Sequence, residues 1–456
     1  MKAINYEKNK NAAPEAIKRL WLLLLVVLPV ASIWLGLRFL DRNQLDSPYR
    51  YNLVRPSSGT ITLEIGKEIS FYQQRIRQNP DGGLDRAGLA TAYLKMARAS
   101  GDVSWYLLAE QAAQESLTKL PFNNKGAVLA LAKVAEARHD FNKAIDLAQK
   151  APSDNASGVL VTANLAMGEV DKANQAAEAL VNRVPTIGSV TLQALVEVAQ
   201  GKDQQAMQEF QHAIAIEEAG ETGSSVWARS LLGRLYYRQG QLETSRKLYL
   251  EALRVIPQYP PALLNLAQLE IRLGNYKAAE KLYTQFFQFV NKSPTIYDHI
   301  VLRGMARIQY LQGDFLGAKK WQDRAEARLR EDLVGFGHRR ELAQLLLESN
   351  RKESIAEALT LMQTEIHVRR DPDTLAILAL ALGRSGRWKE AQQVMNQARS
   401  WGIRDAGILA QAGSIERELG NTAQANKFFR LTQKIDPQFN DQAQKAAGLG
   451  VGLGVN

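Results

Sequence analysis

Glycines that recur at one interval, in the same company each time, limit the folds open to this chain more than any other feature. Gly240 and Gly274 lie 34 residues apart, and Gly386 and Gly420 repeat that spacing of 34. Each sits between two apolar patterns of helical period, so the unit is helix, tight turn, helix. A unit this short cannot bury its apolar face alone; stacked neighbours bury it for one another. A chain of 456 residues built this way needs no single large core.

The clearest unit begins at Val226 and carries Leu232, Gly233, Tyr236, Gly240, Leu242, Tyr249, Ala252 and Pro257. Gly233 admits the close approach of two antiparallel helices, and Gly240 lets the chain leave the first. Tyr249 packs between units, and Pro257 ends the second helix because it cannot continue the hydrogen-bond ladder. This order of residues resembles the tetratricopeptide repeat (TPR). Comparable units surround Gly274, Gly313, Gly386 and Gly420, with weaker ones at Gly168, Gly201 and near Asn350. His139 takes the turn position of another, and a first unit has an insertion at Ser100, Gly101 and Asp102. Spacings reach 39 residues from Gly201 to Gly240 and from Gly274 to Gly313, which calls for longer helices or loops. The expectation is an all-α chain: a right-handed α-solenoid of about ten TPR-like hairpins over 85–439, preceded by one N-terminal transmembrane helix.

That transmembrane helix is expected at 20–40, where a single charge, Arg38, stands in 21 residues. At ~1.5 Å per residue it would span roughly 31 Å, about one hydrocarbon core. Trp21 and Trp34 suit membrane boundaries, and no small-residue cleavage site follows, so an uncleaved anchor is expected. Residues 1–19 form a basic tail with Lys2, Lys8, Lys10, Lys18 and Arg19. Arg38, Arg42, Arg50 and Arg55 lie beyond the span, a small bias toward a cytoplasmic N-terminus and an extracytoplasmic repeat array. Residues 41–61 read as a polar linker, 62–80 as a capping helix, and 440–456 as a flexible glycine-rich tail.

The stretches FYQQRIRQNP, SGDVSWYLLAEQAAQESL, ARHDFNKAIDLAQ and YPPALLNLAQLEIRLGNYKAAEKLY resemble those of bacterial membrane-anchored or exported TPR proteins of largely unassigned function. The resemblance implies a helical superhelix, a binding role and no particular partner. In peptide-binding TPR arrays, fixed positions of the first helix line the concave face. Carried onto this chain, those positions fall on Arg234, Arg238, Arg272, Arg303, Arg307, Arg340 and Arg384, with Tyr237 among them. Asn265 is the one hint of a clamp for a chaperone tail, and the other clamp residues are missing. Seven arginines converging on a groove would suit an acidic protein segment, because guanidinium forks pair well with carboxylates.

Catalysis finds no support. Cysteine is absent, which excludes thiolate nucleophiles, thiolate metal sites and disulfides. His139, His212, His299, His338 and His367 fall in different repeats at no ligand spacing, so each reads as a surface or turn residue and no metal is expected. No phosphate loop or nucleophile elbow occurs, so no cofactor is expected. The net charge of +10 suits an acidic partner or an anionic surface; nucleic acid is not expected. The leading function is a membrane-tethered scaffold for protein partners. The alternative is a basic groove that handles an anionic envelope polysaccharide.

Overall fold

Among the described residues, ten antiparallel helix pairs follow one another. The first five pair Gly83–Ser100 with Val103–Lys119, Lys125–Ala137 with Phe141–Lys150, Asp154–Ala166 with Val170–Arg183, Ile187–Ala199 with Asp203–Ala215, and Thr222–Arg238 with Leu242–Val255. The second five pair Pro260–Arg272 with Tyr276–Phe289, Asp298–Leu311 with Phe315–Asp332, Arg339–Glu348 with Lys352–Glu365, Pro372–Arg384 with Trp388–Arg399, and Ala406–Glu418 with Thr422–Ile435. These are called the first to tenth hairpins below. The computed structural model describes residues 49–56, 60–290, 293–333, 335–349 and 351–447. The expected tail 1–19 and span 20–40 lie outside the described residues. No helix among the described residues is long and apolar enough to cross a membrane.

Local chemistry explains the helix boundaries. Asn124, Asp140, Ser153, Asp371 and Asp405 cap helix starts by accepting a backbone N–H two or three residues on. The turns inside hairpins place Gly101, Gly168, Gly201, Gly240, Gly274, Gly313, Gly386 and Gly420 at positive φ, and His139 stands in the same conformation at φ 59°. Within hairpins, a glycine of the first helix makes room for an aromatic of the second. A Cβ on Gly233 would lie 2.7 Å from the Tyr249 ring, and one on Gly383 2.6 Å from Trp388. Tyr249, Tyr283, Phe286 and Phe428 are almost fully buried between hairpins. Side chains of this size contribute ~1.5–3 kcal/mol each on burial.

The array is not an open curve: it closes on itself. The turn of the first hairpin meets the loop before the seventh, where Ile296 N–H donates to Gly101 carbonyl at 3.0 Å and Val103 N–H to Pro294 carbonyl at 3.1 Å. His139, in the second turn, lies 3.4 Å from the carbonyl of Gly337, before the eighth hairpin. Arg370 N–H, before the ninth, donates to Ala166 carbonyl in the third at 2.8 Å. Gly201 of the fourth abuts Gly402, before the tenth, and Gly240 of the fifth abuts Asp436, just after it. Every contact joins a turn to a loop six hairpins further on, so the superhelix completes a turn in six units and stacks on itself along a seam. The two 39-residue spacings gain a reason here. The extra residues before the seventh hairpin bring Thr295 to Asp102 as an isolated antiparallel bridge. Those before the fifth bring Glu217 to Arg229.

Both ends of the array differ from expectation. Residues 41–61 are not wholly a linker: Tyr49 and Tyr51 are buried against the fifth hairpin, at 6% and 2% exposure. Likewise 440–456 is not wholly a flexible tail, because Asp441–Ala447 is a helix. It packs Ala446 with Leu264, Ile271, Val301 and Met305 of the sixth and seventh hairpins. Residues 448–456 lie outside the described residues. A helix Thr60–Gln78 covers the first hairpin, its Tyr72 ring filling the space over Gly88.

Candidate functional site: an arginine-lined chamber inside the superhelix

First helices of the fifth to eighth hairpins line a half-open cavity of about 200 Å³. Trp227, Leu231 and Leu264 form its apolar wall, and Ala446 reaches it from the terminal helix. Of the residues expected on the concave face, Arg234, Asn265, Arg303, Arg307 and Arg340 line this cavity. Four of the seven arginines are thus brought to one cavity.

The other three arginines are not in the lining. Arg238 is buried on the seam, its Nε 2.8 Å from Asp405 Oδ2. Arg272 also sits at the seam, where it pairs with Asp436 and stacks over the Tyr237 ring at 5.2 Å. Burial raises the Tyr237 phenol above its ordinary pKa, and the tyrosine is a packing group beneath Arg272 rather than a groove contact. Arg384 is exposed at the end of its helix. The single-groove expectation fails for these because the array closes, and what would be one open face is divided between chamber, seam and outer surface.

Within the chamber the arginines differ in how they are balanced. Arg303 and Arg307 share one carboxylate, each donating to Glu348 Oε1 at 2.9 Å. Burial alone would push the Glu348 carboxyl up, but Arg307 and Arg303 outweigh it and hold it below the usual range. Arg340 is buried between Glu341, at 2.9 Å, and Asp371, at 3.3 Å. Arg234 has no carboxylate within ion-pair distance among the described residues. Its Nη1 donates to Asn265 Oδ1 at 3.3 Å, its Nε has no hydrogen-bond partner, and burial lowers its pKa. A guanidinium with this little compensation is costly to keep inside a protein.

The carboxylates were missed from the sequence, although one signal was available: Arg340, Gln344 and Glu348 recur every fourth residue and share a helix face. Of the histidines, His139 and His338 stand in turns, as expected, whereas His299 lies within a helix. His139, His299 and His338 are buried together, with ring centroids 4.8 Å apart for His299 and His338 and 6.0 Å for His139 and His338. Burial holds His139 and His299 well below the ordinary histidine pKa, with Arg369 adding to the shift at His139 and His338 at His299. His299 and His338 belong to consecutive hairpins, whereas His139 comes from the second hairpin and meets them across the seam. His212 and His367 are exposed, as expected. No group of three ligand-type side chains is spaced for a metal among the described residues.

Residues 228–259 and 260–288 match the tetratricopeptide repeat, so the fifth and sixth hairpins carry that repeat. No curated protein matches the chain. Among solved structures, a tetratricopeptide repeat protein from Parabacteroides merdae is 15% identical, over 64% of this chain and 99% of its own, with a TM-score of 0.34. A human IFIT1 dimer with PPP-AAAA is 16% identical over 69% of this chain and 72% of its own, with a TM-score of 0.46. Yeast Tom70 is 14% identical over 81% of this chain and 85% of its own, with a TM-score of 0.41. At such identity and overlap none of these proteins' partners carries over.

Proposed function

We propose that this protein is a scaffold for protein–protein interaction whose inner chamber receives an acidic side chain or terminal carboxylate of a partner at Arg234. The observation that carries this is the guanidinium of Arg234, which lines the cavity with no carboxylate within ion-pair distance among the described residues. A partner carboxylate would supply the missing counter-charge in a desolvated setting, where a forked ion pair is strongest. The neighbouring Asn265 and Gln268 offer further polar contacts, and Trp227 and Leu264 give the stem of the guest an apolar wall. A volume of about 200 Å³ has room for one or two side chains. The polysaccharide alternative needs a continuous basic stripe, and Glu348, Asp405 and Asp436 interrupt it.

We propose further that the apolar run 20–40 tethers the scaffold to a membrane, with the basic residues before it on the cytoplasmic side and the repeats on the other. Extraction of the protein from membranes by alkaline carbonate would refute the tether, and digestion of the repeats by protease added on the cytoplasmic side would refute the orientation.

The chamber is tested by titrating short acidic peptides with an apolar flank into the purified full chain and into an Arg234→Met variant. Binding that weakens at least about tenfold in the variant, and weakens with salt in the parent, is expected. Equal binding by parent and variant would place the guest elsewhere.

A further inference from the structure

Residues 49–54 of this protein lie against its own repeat body. Their path follows a cleft between the fourth, fifth and sixth hairpins. Burial alternates along a backbone that bends at Arg50 and Leu53, with Tyr49 and Tyr51 buried and Arg50 and Asn52 exposed. The body holds the backbone at three points. Arg229 Nε donates to Tyr49 carbonyl at 2.8 Å, Arg254 Nη2 donates to Tyr51 carbonyl at 2.7 Å, and Tyr51 N–H donates to Glu251 Oε1 at 2.7 Å. The Tyr51 ring lies under the Arg229 guanidinium at 5.6 Å and packs on Val226, Ala252, Val255 and Ala262. The Tyr49 hydroxyl is met by Gln211 and by the hydroxyl of Tyr236.

We propose that this cleft is a binding site for a short segment with tyrosines at alternate positions, and that residues 49–54 occupy it in place of such a segment from a partner protein. The cleft reads backbone and rings rather than charge, because its ionic groups are matched within the body: Arg229 by Glu217 and Arg254 by Glu251. Hydrogen bonds to the main chain, with pockets for alternate side chains, give a peptide site both affinity and specificity. The resident segment is tethered and so acts at an effective concentration on the order of millimolar. A partner therefore gains the cleft when the resident tyrosines are withdrawn. The site is separate from the chamber and does not depend on Arg234.

The test uses a labelled peptide with the sequence of residues 47–56, the full chain, and a full-chain variant carrying Tyr49→Ala and Tyr51→Ala. Saturable binding to the variant at micromolar peptide is expected, at least about tenfold tighter than to the parent. It should be lost with a peptide in which both tyrosines are alanine, and weakened when Arg254→Ala is added to the variant. A folded variant that does not bind the peptide overturns the proposal, as does a parent that binds it equally well. Should the double variant fail to fold, the full chain with Tyr49→Ala alone is judged by the same two outcomes.

Discussion

Arg234 and Arg340 line one chamber, yet replacing them should have opposite effects. Arg340 is buried between Glu341 and Asp371, so Arg340→Met strands two carboxylates and should cost about 3–5 kcal/mol. Arg234 has no such partner, so Arg234→Met removes a poorly compensated charge and should leave stability unchanged or raise it by about 1 kcal/mol. Chemical denaturation of the two variants decides this; a large loss in Arg234→Met would mean that the guanidinium has a structural role. His139 gives a second prediction, with a definite sign. Burial, then Arg369, hold its folded pKa well below 6.5, while Glu341 opposes them and His338 and Arg340 add to them. The unfolded chain therefore takes up the proton first. The stability due to neutral His139 is intact above about pH 6.5 and falls as the pH drops through that value. His139→Asn keeps a residue that tolerates positive φ and removes the titration. The parent should lose more melting temperature than this variant between pH 7.5 and 5.5; equal losses would remove His139 from the account.

Turns and loops, as elements, divide into those the seam covers and those it leaves open. Gly386 and Gly201 have nearly the same φ, 76° and 71°, so alanine at either pays the left-handed cost of about 1 kcal/mol. No atom lies within 4 Å of a Cβ at Gly386, whereas one at Gly201 would come within 1.9 Å of Gly402 carbonyl oxygen. Gly201→Ala should therefore cost about 2–4 kcal/mol, and Gly386→Ala about 1. Similar melting temperatures for the two would mean that the seam yields without cost. The same division explains what the sequence could disclose. Gly240, Tyr249 and Pro257 act within one hairpin, so their roles are visible in a window of about 34 residues. Arg272 and Asp436 meet across 164 residues because small rotations between six successive hairpins add up to one turn, and no local pattern records that sum. Nor does SPYRYNLVRP advertise its docking, since two tyrosines in a polar stretch look like a linker until the cleft that fits them exists. The chamber was half legible for the same reason: its arginines follow the repeat, whereas their counter-charges Glu348 and Asp371 come from different hairpins.

Across the whole repeat body, the seam changes how a local injury should spread. An open solenoid couples each unit only to its neighbours, so damage at the tenth hairpin would stop near the ninth. Here the loop before the tenth hairpin lies on the turn of the fourth, and its Asp405 pairs with Arg238 of the fifth. Asp405→Asn separates the two kinds of coupling. Asparagine still accepts the N–H of Ile408 and caps the tenth hairpin, but it leaves Arg238 buried without that charge. In the parent, the amides of Gly240 and Gln241 close the fifth turn by donating to Tyr237 and Tyr236 carbonyls at 3.1 and 3.0 Å. If the seam contributes stability, these amides should exchange faster in Asp405→Asn, about tenfold for each 1.4 kcal/mol of seam lost, although they lie more than 160 residues from the substitution. The exposed turn at Gly313 has no atom within 4 Å of a Cβ and should be unchanged, which makes it the internal control. Acceleration confined to the ninth and tenth hairpins would show that stacked turns touch without coupling, and the body would then behave as an open array that happens to close.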